Sequence, residues 1–194
     1  MKNKESISEA DIWQFLMVCL FGDQFKAELD DEEKTDLAIN RAYRDFCRTI
    51  RKEKGGINAG MNLVGSKTKA TVKIKEFLKK NRSNYDQWHE DLCTALTIFR
   101  YTYGQAQKWI NMTIKYLYIL GSEFNDQDIK KLHVPIDSKI IEKAQGIVSK
   151  DILDKIPSWS IIDDYKIYKE FQEQLRTNLK PKIPFYWEFN VWNE

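Results

Sequence analysis

Between Gln105 and Leu120 the chain places Trp109, Ile110, Thr113, Ile114, Tyr116, Leu117 and Leu120 on more than one face of a single helical repeat. An ordinary amphipathic helix rests one stripe on a core, whereas a helix that is apolar over several faces has to be enclosed by other elements. This segment therefore predicts the centre of the fold, and the rest of the chain has to supply its surroundings.

The flanking segments read as helices. Ser8, Glu9 and Asp11 form an N-cap with an acidic first turn, followed by Ile12, Trp13, Phe15, Leu16, Cys19 and Leu20 at helical spacing and a stop at Gly22. Ala38, Ala42, Phe46 and Ile50 lie four apart in a helix running to about Lys54. Gly55, Gly56, Gly60 and Gly65 interrupt the pattern, so a mobile loop is expected over 55–66. Further helices are expected over 67–80, from Ser83 or Asn84 through Phe99, from Asp137 to Val148, and over 163–178. A short helical turn is expected around Asp126 to Leu132. Phe185, Trp187, Phe189 and Val191 alternate at period two, which suggests an extended aromatic tail docked on the helices. The expectation is an all-α chain, a compact orthogonal bundle of about seven to eight helices over residues 1–194 as one domain.

Composition narrows the function classes. The net charge of +2 gives no overall basic field, so any nucleic-acid contact must come from local patches. Cys19, Cys47 and Cys93 are dispersed, which argues against a disulfide framework and a structural zinc site. The polar N-terminus does not resemble a signal peptide, and Ile110–Leu120 carries Lys115 and is too short to span a bilayer. The expected setting is cytoplasmic, with no membrane partner, no metal and no cofactor.

Arg41, Arg44, Arg48 and Arg51 fall three, four and three residues apart, on one helical face. The next helix carries Lys67, Lys69 and Lys73 among seven cations against Glu76 alone. Two such helices packed face to face would hold phosphates; a solvated charged surface balanced by Asp36 and Asp45 is the plainer alternative. Residues 60–68 approach a phosphate-binding loop, but the lysine is one place late and no buried strand precedes it. His89 and Cys93, four apart, have the spacing of a nucleophile and its base, with no third residue to orient them. His133 stands alone, and the adjacent Asp163 and Asp164 read as first-turn charges of a helix.

In Leu132-His133-Val134-Pro135-Ile136-Asp137-Ser138-Lys139-Ile140 the aspartate follows a proline turn and opens a helix, which fixes its direction. Over about residues 101–148 the chain resembles the helix-hairpin-helix DNA glycosylase superfamily. Pro135 to Ile140 is similar to the family's proline-aspartate segment, and Tyr103 to Lys108 stands where its hairpin stands. The family hairpin has two close glycines and this chain has Gly104 alone; no nucleophilic lysine is carried over.

The resemblance implies that Asp137 assists cleavage of a base-sugar bond and that Gly104 and Lys108 grip a nucleic-acid backbone. With it, Trp109 and Trp159 are candidates to stack an extruded base, and the basic helices to bind phosphates. The expected partner is nucleic acid, DNA before RNA, or a nucleotide. The alternatives are a non-catalytic binder of the same ligands and a protein-interaction module.

Overall fold

A computed structural model describes residues 7–52 and 63–193, and of 48–52 and 63–64 the backbone alone. Among the described residues the chain is all-helical. Its helices are α1 (Glu9–Phe21), α2 (Asp31–Lys52), α3 (Leu63–Leu78), α4 (Tyr85–Thr97), α5 (Tyr103–Ile119), α6 (Asp126–Ile129), α7 (Ser138–Lys143), α8 (Lys150–Leu153), α9 (Tyr165–Asn178) and α10 (Pro184–Val191). A 3-10 turn, Trp159–Ile161, lies between α8 and α9. None of these helices is long and apolar enough to cross a membrane.

Helix α5 is the axis of the molecule, as its sequence requires: every residue from Gly104 to Leu117 is buried. Thr102 caps it, its hydroxyl accepting from the Gln105 amide at 3.1 Å, while the Gln105 side-chain oxygen accepts from the Thr102 amide. Helix α2 lies along it through Ala38, Ile39, Ala42 and Phe46. At the contact Trp109 is enclosed by Tyr43, Phe46 and Tyr101, and its Nε1 donates to the Ile39 carbonyl at 3.0 Å.

Two expectations are corrected. The tail is helix α10 rather than an extended segment. Alternation over four positions is also two i,i+4 pairs, Phe185 with Phe189 and Trp187 with Val191, and an element covered on several sides satisfies both. Pro184 supplies the first helical position. Among the described residues there are also ten α-helices where about seven to eight were expected. Part of the difference comes from the stretch after Asp137, which divides into α7 and α8 at Gly146, whose φ of 82° no helix continues.

Helix α1 departs in another way. Its Ser8 capping box and its Gly22 terminator match the sequence, yet Ile12, Trp13, Phe15 and Leu16 point into solvent, and only Met17 and Phe21 are buried. Residues 63–66 open α3 instead of continuing the expected loop, whose part over 55–62 lies outside the described residues.

Candidate active site

The stretch from Leu132 to Ile136 is non-helical and buried, and no strand lies beside it among the described residues. Buried backbone groups need partners, and here side-chain amides provide them. Gln172 accepts from the Val134 amide at 3.0 Å and donates to its carbonyl at 2.7 Å. Gln107 does the same for Ile136, at 3.1 Å and 2.9 Å. This clasp brings the end of the segment against α5 at Gln107, the residue next to Lys108.

Asp137 then caps α7, with Oδ1 accepting from the Ile140 amide at 2.9 Å, while Oδ2 takes the Lys108 ammonium at 2.6 Å. Both partners are largely shielded, at 8% and 14% side-chain exposure, so the pair is not a solvated surface bridge of small value. It faces a cavity of about 430 Å³ lined by Arg41, Asp45, Lys108, Met112, Lys115, Tyr116, Asp137, Trp159 and Trp192.

Every cation on that wall has a carboxylate. Arg41 pairs with Asp45 at 2.6 Å, and the Tyr116 hydroxyl donates to the other Asp45 oxygen. Lys115 meets both oxygens of the buried Glu188, at 2.8 and 2.6 Å. Glu188 also accepts from Trp192 Nε1 at 2.7 Å, which ties the indole to the cavity edge. Indole rings at Trp159 and Trp192 give the mouth two aromatic faces, with Trp159 half-buried and Trp192 exposed.

The sequence candidates distribute unevenly around this cavity. Asp137, Lys108, Arg41 and Trp159 meet there. Trp109 does not: it is completely buried between α2 and α5, with no ring face left for a base. Gly104 is also closed off. Its amide donates to the Ile162 carbonyl at 2.9 Å, and a β-carbon there would stand 1.8 Å from the Trp159 carbonyl oxygen. The glycine serves a close crossing of α5 under the 3-10 turn rather than a grip on a nucleic-acid strand.

The arginine row splits as well. Arg44 is exposed beside Gly22, and the side chains of Arg48 and Arg51 lie outside the described residues. Lys67 donates to Asn40 at 3.0 Å, Lys73 pairs with Glu76 at 2.6 Å, and Lys69 is exposed. Lys75 joins Asp36 across the α2–α3 seam.

His89 and Cys93 do approach, Sγ to Nδ1 at 3.5 Å, but both are fully buried. Burial drives the thiol up and the imidazole down, so the pair is neutral and carries no thiolate. Nor does His133 stand alone. A chain of bonds runs Tyr165 hydroxyl to His89 Nδ1, His89 Nε2 to Asn111 Oδ1, Asn111 Nδ2 to the Tyr168 hydroxyl, Tyr168 to His133 Nδ1 and His133 Nε2 to Asp86. Donors and acceptors balance along it only with both imidazoles neutral and protonated on Nε2. Burial lowers His133 to about 4. Burial also pushes Asp86 up, but hydrogen bonds from His133 and Arg176 outweigh it and hold the carboxyl well below its usual range.

Sequence reasoning missed Lys115, Tyr116, Met112, Asp45, Glu188 and Trp192. The spacing of Lys108, Met112, Lys115 and Tyr116 at four, seven and eight residues carried a signal, because it defines one helical face with two cations inside an apolar helix. The chain matches no protein-family model, no curated protein and no solved structure.

Proposed function

We propose that the cavity at Asp137 accepts a nucleoside unit and that the protein cleaves its base-sugar bond, acting on nucleic acid, DNA before RNA. The observation that carries this reading is the Lys108–Asp137 pair, at 2.6 Å and shielded from water, opening onto a cavity with Trp159 and Trp192 at its edge. Loss of a base leaves positive charge on the sugar, and a fixed carboxylate next to it lowers the barrier because it needs no reorientation. Asp137 is fixed twice, by the α7 cap and by Lys108. The indoles offer π-faces to an extruded base, and a volume of about 430 Å³ lies in the range of small-ligand pockets.

The test is base release from duplexes containing modified bases. Asp137→Asn is expected to abolish release while leaving duplex binding unchanged. Lys108→Gln tells whether the amine is a nucleophile or an anchor, because a nucleophilic lysine forms a Schiff base that borohydride traps on the protein. A wild-type protein that releases no base from any such duplex overturns the reading.

A second reading, binding of a free nucleotide without chemistry, is favoured by one observation: among the described residues only Arg41 and Lys108 of the phosphate-binding candidates line the cavity, and Arg44, Lys67, Lys69 and Lys73 do not. Saturable nucleotide binding with no product would select it.

A further inference from the structure

Helix α1 has no sequence reason to be at the surface. It is apolar nearly all round, a composition that belongs to enclosed helices, and yet it meets the core through Met17, Leu20 and Phe21 along one side. On the opposite side Ile12, Phe15, Leu16 and Cys19 follow i, i+3, i+4 and i+7, which makes one continuous seam. Ile12 is 50% exposed, Phe15 66% and Leu16 52%, with Trp13 beside them at 53%. An aromatic ring carries about 150–250 Å² of surface. With Ile7 and Val18 added, on the order of 600 Å² of apolar area faces water, the upper end for a lone molecule. A specific interface takes roughly 800 Å² from each partner, so this seam with a polar rim is of that size.

Among the described residues no side chain covers this seam. A lipid surface fits poorly, because no Lys or Arg occurs from Ile7 to Phe25, whereas helices lying on membranes carry cations along their polar side. The charge layout instead matches the helix itself. Glu9 and Asp11 occupy the first turn, and the Arg44 guanidinium stands at the other end, 4.0 Å from the β-carbon position of Gly22.

We propose that α1 is the interface of a two-fold homodimer, in which a second copy lays its own α1 antiparallel across the Ile12–Phe15–Leu16–Cys19 seam. The acidic first turn of each helix then lies beside the Arg44 of the other, and the helix dipoles oppose. A self-complementary surface of this kind closes at two subunits. The interface is independent of the cavity at Asp137.

Sedimentation velocity over a range of concentrations tests it. The full-length protein is expected at twice its 23.0 kDa chain mass. Phe15→Glu and Leu16→Glu, both at exposed positions, are expected to sediment as folded monomers with unchanged circular dichroism. Arg44→Glu is expected to weaken association at least tenfold, and Glu9→Arg in the same chain to restore it. A wild-type protein that stays at 23.0 kDa up to its solubility limit overturns the proposal. So does a dimer indifferent to Phe15→Glu and Leu16→Glu, or a monomer that floats with phosphatidylcholine vesicles.

Discussion

Gln107 holds Ile136 at both ends of its peptide unit, accepting from the amide at 3.1 Å and donating to the carbonyl at 2.9 Å. One glutamine therefore does for this segment what a neighbouring strand does in a sheet, and it sets the position of the next residue, Asp137. Gln107→Leu leaves both Ile136 groups without their side-chain partners in the core and takes one of its acceptors from the Asn111 amide, which keeps the Tyr168 hydroxyl. Each such group costs about 1–3 kcal/mol. The expected result in urea unfolding is a lower midpoint at unchanged slope. Base release, if present, should fall further than stability at permissive temperature, because the carboxylate loses its aim.

The hydrogen-bonded chain through His89 and His133 makes stability depend on pH in a stated direction. Both imidazoles have folded values below an ordinary one, His133 at about 4, whereas an unfolded imidazole titrates near 6.5. Above that value neither state binds the proton and stability is flat. Below it the unfolded chain takes up protons that the buried rings refuse, so stability falls as pH drops from about 6.5 toward 4. Asp86, held low when folded, adds a second loss once unfolded carboxylates protonate below about 4. Urea midpoints measured from pH 8 to pH 4 should show a plateau and then a decline. A plateau that continued through pH 5 would remove the neutral-imidazole assignment.

The Lys115–Glu188 bridge fastens α10 to the axis helix. Removing one partner leaves a buried charge alone, which costs about 3–5 kcal/mol. Glu188→Gln and Lys115→Met should each destabilise strongly, and a Lys115→Met, Glu188→Leu pair should recover most of the loss. Trp192 fluorescence gives the readout, since its indole donates to Glu188. Deleting residues 181–194 should unfold the protein rather than free a docking tail.

Legibility followed the physics of each element. The axis helix was readable because enclosure demands apolar residues on several faces, and the caps at Ser8 and Asp137 were readable because capping chemistry is local, whereas Asp164, expected as a first-turn charge, is the N-cap of α9. The Asp137–Lys108 contact was not. It depends on Gln107 and Gln172 replacing a strand, and a glutamine in an apolar run gives no sign of which backbone it will satisfy. Trp109 and Trp159 look alike in sequence, and only packing separates a core ring from one at a cavity. Gly104, which the resemblance makes a hairpin glycine, lies within the first turn of α5, where the crossing under Trp159 leaves no room for a β-carbon. The arginine row had helical spacing, yet spacing says nothing about whether Asp45 will take the first guanidinium.

The cavity wall holds Arg41, Lys108 and Lys115, each already matched by Asp45, Asp137 or Glu188. Recognition of an anion there is consequently a substitution, in which an incoming phosphate has to compete with a resident carboxylate. Such a site discriminates by geometry more than by charge, since a ligand that cannot take over the hydrogen bonds of the group it displaces gains nothing.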